Sequence, residues 1–527
     1  MYWIKNTFIL ILLFILAFFV YKFNNKNFFH SSVHRNQVHN TVYKYENDIV
    51  HTKNFIFVKT DNFKILIDKL NGNIISTHLL KYKETIGSSN TLHLLKSKKD
   101  FIYVANSGLL GLEKNKFYYD NEYNKKNFFK LLDNEDKLCV PMKWTSKNGL
   151  SYIKTFIFQR GKYFFKVKYD IFNNTGKKIN VSMFGNLKQS IKKEKDVNYS
   201  NLGMRTFRGV AYSNAEHKYK KVNFDSIDQK RYISNLSDNK WIAMVQPYFV
   251  SAWIPDRSIK SKLFSDKVSS RDISVGYVTE NLSINKNENK TLCSTLWIGP
   301  KIKKKMLEIS DSLYFTIDYG FLWFLSQPLF ELLNYLNKFF QNWGISIIAI
   351  TCIIKLIMYP ISKIQYVQMA KVKSIQKEIS LIKRQYKDNK SMLSNKIVDL
   401  YKKNNINPIG SFLPIIVQMP MFLSLYYVII ESVELRHAPF ILWIQDLSDK
   451  DPFFILPILM GITTFLLQND SEDDYNLDKI HKIVIQTMPV FFTIFFLWFP
   501  SGLVLYYIIS NILTIIQQKI IFNKFNV

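Results

Sequence analysis

The chain has 527 residues, enough for two or three domains, and carries 71 Lys and Arg against 41 Asp and Glu, a formal net charge of +30. Lys supplies 62 of the basic residues and Asn, Ile and Phe are abundant, so the excess reads as Lys on solvated faces rather than a dedicated nucleic-acid surface. The three cysteines (Cys139, Cys293, Cys352) have no metal-site spacing and allow at most one bridge, Cys139–Cys293, with two free buried thiols the preferred reading.

In chain order, the first element is the apolar run Phe8–Phe23. It fits a secretory signal or an anchor. The residues that follow, Asn24-Asn25-Lys26-Asn27, offer no small-residue cleavage site, which favours an uncleaved anchor over residues 1–23. Residues 24–51 lack a hydrophobic period and form a polar tether.

Between 52 and 305 the pattern is β. Phe63, Ile65 and Ile67 alternate with Lys64 and Asp68 ahead of the turn Asn71-Gly72. Phe165, Val167, Tyr169 and Ile171 alternate between the turns Arg160-Gly161-Lys162 and Asn174-Thr175-Gly176. So long a run of strands suits a large β-sandwich.

From 306 the period becomes helical. The segment 306–342 is amphipathic, is interrupted at Gln327-Pro328, and suits a helix lying along a membrane surface. Five candidate spans follow, 343–361, 412–430, 452–468, 483–500 and 501–522, the last two joined by a turn so short that they form an antiparallel hairpin. Residues 361–407 carry eleven basic and three acidic residues, whereas 431–451 carry two basic and five acidic ones. The positive-inside rule therefore puts the first loop and both termini in the cytoplasm and the β domain outside. Within 363–405, Val372, Ile375, Ile379 and Ile382 recur at helical spacing, as do Leu393, Ile397 and Leu400, which predicts a helical hairpin. Its basic face (Lys371, Lys373, Lys377, Lys383, Arg384, Lys387) is either a docking site or a solvated stub beside anionic headgroups.

Lys355 is the lone charge within WGISIIAITCIIKLIMYPI. A Lys at the centre of an inserted helix costs about 2.5–3.5 kcal/mol, so it should face a partner, water or substrate. Thr351 lies four residues earlier on the same face. Gln418, Asn511, Thr514 and Gln517 fall at middle or cytoplasmic depths, while the outer halves of the spans are apolar and aromatic. This asymmetry points to a polar concavity open to the cytoplasm. Pro414, Pro420 and Pro489 interrupt spans and free carbonyls toward it. Nothing supports covalent catalysis, a cofactor or nucleotide use: Gly176-Lys177 lacks the earlier P-loop Gly, since Ile171 stands there, and no His lies within a span. A solute transporter built on Lys355 would show repeats among the spans, and none is visible. A binding module merely tethered to the membrane would leave the polar content of those spans without a purpose.

The segments MYPISKIQYVQMAK (358–371), NPIGSFLPIIVQMPMFLSLYYV (407–428), ELRHAPFILWIQDLSDKDPFFILPILMG (434–461) and FFLWFPSGLVLYYIISNILTIIQQ (495–518) closely resemble the YidC/Oxa family of membrane protein insertases in its long Gram-negative form. FGNLKQS (184–190), TFRGVAY (206–212) and STLWIGP (294–300) carry a thinner likeness in the outer domain. The resemblance implies a membrane protein of the bacterial inner membrane: an N-terminal anchor helix, an α-helical five-span insertase core over 343–522, and a periplasmic β-supersandwich. It implies that nascent short or single-span proteins enter a hydrophilic groove from the cytoplasm and leave into the lipid bilayer, without ATP hydrolysis, alone or beside the Sec translocon. The groove residues carry over as Thr351, Lys355, Gln418 and Tyr507, and the substrate-contacting greasy slide as Phe412, Pro414, Pro420 and Tyr506. The family normally has Arg where this chain has Lys355, which keeps charge but loses the planar five-donor fork. The sequence stops at Phe522-Asn523-Lys524-Phe525-Asn526-Val527 without the basic tail that helps the family contact ribosomes, which leaves the basic hairpin as the main candidate for that role.

Overall fold

The computed structural model describes residues 54–527 other than 113–116, 122, 124, 192–206, 228–230, 387–388, 407–412, 470–478 and 525–527. The expected anchor and tether lie outside the described residues.

Alternation builds the β domain. In Phe63–Asp68, Phe63, Ile65 and Ile67 are buried, and Gly72, at φ 64°, turns the chain into the antiparallel strand Ile74–Lys83. Gly161 does the same between Leu150–Gln159 and Phe164–Asn173, whose Phe165, Val167, Tyr169 and Ile171 are all buried. The turn through Gly176 behaves differently. It delivers the chain to Ile179–Ser190 in the other sheet, so it switches sheets instead of closing a hairpin.

The result is an eleven-stranded and a nine-stranded sheet, antiparallel except where Phe55–Lys59 pairs in parallel with Phe128–Lys130. One core draws on both sheets: Ile65, Tyr103, Leu187 and Tyr277 come from the first, and Phe156, Val167, Trp253 and Trp297 from the second. Cys139 and Cys293 lie on Lys137–Ser146 and Asn289–Pro300 with two strands between them, roughly 14 Å apart by strand spacing and too far to bridge. Both thiols are free. Cys139 is exposed, against the expectation of a buried thiol, because its neighbours Leu138 and Val140 take the inward positions.

Past Pro300 the chain enters the helical region, α1 (Trp323–Phe340), α2 (Trp343–Ile357), α3 (Tyr359–Ser374), α4 (Gln376–Gln385), α5 (Lys390–Lys403), α6 (Leu413–Glu431), α7 (Ile455–Asn469), α8 (Lys479–Phe496) and α9 (Ser501–Lys524). The join is locked by a buried ion pair. Lys301, just past the last strand, donates to the carboxylate of Glu431 at the end of α6 and to the Thr316 carbonyl at 3.3 Å. Both charged side chains are at most 1% exposed.

Several expectations need correction. Gln327-Pro328 does not break α1, because near the start of a helix Pro328 removes a single backbone bond. α1 buries Ser326, Leu329 and Leu333 against α2 and α6 and exposes Trp323, Phe324, Tyr335 and Phe339. The segment 343–361 is not one straight span, since α2 and α3 meet at a 64° bend at Met358. Pro360 sits in the first turn of α3, where its missing N–H costs nothing. The segment 363–405 is more than a two-helix hairpin. α3 packs along the end of α9 through Tyr366, Ala370, Ile521 and Phe522, and α4 and α5 alone form the hairpin, on Ile375, Ile379, Leu400 and Ile406. Pro420 and Pro489 lie inside unbroken helices. α8 and α9 are joined by a tight turn, but the main partners of α9 are α7 and α2.

Among the described residues, Ser501–Asn523 is by itself long and apolar enough to cross a membrane, and the bent pair Trp343–Ile357 and Tyr359–Val372 qualifies as one broken span. Ile455–Gln468 and Thr487–Phe496 are shorter apolar helices.

Candidate substrate groove

The polar residues of the helical region converge on one face of α9. The i, i+4 spacing stacks Ser510 and Thr514 along that helix, where Thr514 Oγ1 donates to the Ser510 carbonyl at 2.8 Å. Lys355 on α2 donates from Nζ to Thr514 Oγ1 at 2.8 Å, and Gln418 on α6 donates from Nε2 to Ser510 Oγ at 3.2 Å. Gln517 Nε2 reaches the Lys355 carbonyl at 3.4 Å, and Gln517 Oε1 has no partner among the described residues. A polar seam, uncharged except for Lys355, thus runs from Gln418 through Ser510 and Thr514 to Lys355 and Gln517.

Lys355 is 7% exposed and makes no ion pair among the described residues. Its charge meets only a hydroxyl, which orients an ammonium without neutralising it. The desolvation cost of this cation is already incurred, and no carboxylate offsets it among the described residues.

The other expected residues divide. Tyr507 is half-buried, with its ring 5.4 Å from Phe496 and 6.2 Å from Phe422. Pro420 is half-buried on α6, beside the exposed Met419. Thr351 is fully buried and donates back to the Ile347 carbonyl at 2.6 Å, so it lies behind Lys355 rather than on an open surface. Tyr506 is 2% exposed within the helical core, beneath any sliding surface rather than on it. Phe412 lies outside the described residues, and the side chain of Pro414 is not described. Asn511 faces away from the seam toward α7, donating to Thr463 and Thr464 at 3.2 and 3.0 Å. In the basic hairpin, Lys377 and Arg384 are exposed and Lys371 and Lys383 half-exposed. Lys387 lies outside the described residues, as does the side chain of Lys373.

Sequence reasoning passed over Ser510, which joins Gln418 to Lys355. The signal was there, since Ser510, Thr514 and Gln517 form a 4-3 polar stripe on an apolar helix. It also counted Glu431 as loop charge, although that residue is 1% exposed.

Comparison with known proteins bears on this arrangement. Residues 56–332 match the YidC periplasmic domain and residues 335–526 the 60Kd inner membrane protein family. The membrane protein insertase YidC of Buchnera aphidicola subsp. Acyrthosiphon pisum (strain APS) is 45% identical over 487 residues, covering 90% of this chain and 91% of the relative. The chain belongs to the YidC family of membrane protein insertases. The insertase of Buchnera aphidicola subsp. Baizongia pistaciae is 43% identical over 99% of this chain and 98% of its own length. That of Wigglesworthia glossinidia brevipalpis is 44% identical, over 90% of this chain and 89% of its own length. Membership makes the β-sandwich a periplasmic domain, the helical region an insertase region of an inner-membrane protein, and membrane proteins its substrates. The family is one of insertases rather than of catalysts of covalent chemistry.

Proposed function

We propose that this chain inserts proteins into the membrane by drawing a substrate's polar flank into the seam around Lys355 while its apolar segment partitions into lipid beside α6 and α8. The observation that carries this reading is the buried Lys355 ammonium held by Thr514 with no carboxylate beside it among the described residues. A cation in a polar seam lowers the cost of bringing an acidic or hydrated flank partway across. Transfer of the apolar segment into lipid, at roughly 25 cal/mol per Å² buried, drives the step without nucleotide.

The layout in this reading is multi-pass, with five spans after the anchor, both termini and the basic hairpin in the cytoplasm, and the β domain periplasmic. Short-loop charge supports that orientation. Tyr507 and Pro420 border the seam, Thr351 and Tyr506 back it from within, and Phe412 and Pro414 belong to the slide in this reading by the family resemblance alone. The exposed Lys377 and Arg384 face ribosomes or anionic headgroups, and the Sec translocon is a partner for larger clients.

The test is reconstitution of the purified protein into liposomes with a small single-span substrate bearing an acidic tail and no nucleotide, scored by protease-protected fragments. Protection that drops at least tenfold in Lys355→Ala and returns in Lys355→Arg is the expected result. Equal protection with Lys355→Ala refutes the role of the charge.

A further inference from the structure

A second polar site lies away from the seam, where the β domain meets the loop that follows α6. A cavity of about 150 Å³ is lined there by the Thr91–Ser97 strand, the Gln246–Phe249 turn, Gln189, Arg208 and Arg436. Its charge is one-sided. Among the described residues, Lys96, Arg208 and Arg436 line it against one carboxylate, Glu84, which is 4.0 Å from Lys96 and whose side chain is 43% exposed.

Backbone carbonyls aim both guanidinium groups. Arg208 donates to the Ser190 and Ile191 carbonyls at 3.0 and 2.9 Å, and Arg436 to the Lys83 and Glu84 carbonyls at 2.9 and 3.0 Å. Carbonyls orient a guanidinium without cancelling its charge, and each guanidinium has five N–H donors in a fork that matches oxyanions. Gln189 also lines the cavity. It is 1% exposed, and neither its Oε1 nor its Nε2 has a partner among the described residues. Burying both ends of an amide unsatisfied is costly, and natural structures keep such groups where something else completes them. Aromatic walls at Phe101, Tyr248 and Phe249 give a small polar ligand apolar flanks.

We propose that this pocket binds the phosphate group of a small phosphoester, gripped by Arg208, Arg436 and Lys96 and bonded at its ester side by the Gln189 amide. Arg436 follows the end of α6 by five residues, so in the layout proposed above the pocket lies beside the outer membrane surface. The phosphoester is then either the headgroup of an anionic glycerophospholipid or a soluble glycerol phosphate. Only the lipid source rests on that layout.

The full chain, purified in detergent, is tested with two probes. Glycerol 1-phosphate is titrated calorimetrically, and retention of dioleoylphosphatidylglycerol against dioleoylphosphatidylcholine is counted by native mass spectrometry. Binding of either phosphate probe that weakens at least tenfold in both Arg436→Gln and Gln189→Leu is the expected result. The probe that binds names the source. Gln189→Leu keeps the side chain's size, so it remains informative should Arg436→Gln disturb the loop, and near-UV circular dichroism checks folding of both. No binding of either probe by the unaltered chain, or equal binding by Gln189→Leu, overturns the site.

Discussion

The Lys301–Glu431 pair makes a quantitative claim about how the periplasmic domain is joined to the insertase region. Lys301 follows the last strand of the β domain, Glu431 ends α6, and both side chains are sealed from solvent at 0% and 1% exposure. Removing one partner strands the other charge in a dry site, which costs about 3–5 kcal/mol. If that cost falls on local opening of the junction, the open population rises roughly a hundred- to several-thousand-fold, at about 1.4 kcal/mol per factor of ten. The junction carries its own reporter, because Lys303, Lys304 and Lys305 are trypsin sites just beyond the pair, on the short helix Lys303–Met306. Trypsin cleavage at these lysines, measured where opening and closing outpace cutting, follows the open population. Lys301→Met and Glu431→Gln should each accelerate it by at least a hundredfold. The double replacement Lys301→Met/Glu431→Leu, with no charge left to desolvate, should return near the parent rate or below it. The reasoning is refuted if the single variants cleave at the parent rate, or if the double variant is worse than either single one.

Two further outcomes concern His93 and Gly344. His93 stacks on His78 with ring centres 4.0 Å apart, and burial, then His78 and the charges of Lys96 and Lys98, push its pKa down to about 2. Because the folded value lies below the unfolded 6.5, His93 stays neutral in the fold while the unfolded chain takes up a proton. Its contribution to stability is therefore complete above about pH 6.5 and is lost as pH falls below that value. The melting temperature of the β domain should decline between pH 6.5 and 4, and His93→Gln should flatten that decline. Gly344, near the start of α2, is covered by Phe440, whose Cδ2 would lie 2.0 Å from an added Cβ. Gly344→Ala should displace the loop that Asn342 also anchors through the Phe440 carbonyl, and lower stability by about 1–3 kcal/mol in thermal melts.

Local chemistry was readable wherever it repeats along the chain. The alternation of Phe165, Val167, Tyr169 and Ile171 and the turn glycines Gly72 and Gly161 placed strands and hairpins correctly, because period and positive φ are properties of a few adjacent residues. The apolar seam of the basic segment was likewise visible at Ile375, Ile379 and Leu400. Proline misled at Gln327-Pro328. Its cost depends on its place in the helix and on what else holds the helix down, here Leu329 and Leu333 against α2 and α6. In the polar seam, Lys355 and Gln418 stand out by residue type in an apolar run, whereas the burial of Thr351 and Tyr506 was not legible there. Helical spacing says which residues share a face and not which face meets a neighbour.

The sequence by itself determined the class of this protein: a strand-rich outer domain, an apolar helical region with an isolated cation, and motifs dense enough to place it among the insertases. The first two are statements about composition and period and the third is a resemblance of motifs, and all three survive without any fold. The partners of each polar group were decided only by tertiary structure. Gln418 reaching Ser510, Lys301 closing on Glu431 across 130 positions, and Gln189 lining one cavity with Lys96, Arg208 and Arg436 all join residues far apart in the chain. Such pairings depend on how helices and sheets pack, and packing is set by the whole core at once rather than by any local stretch.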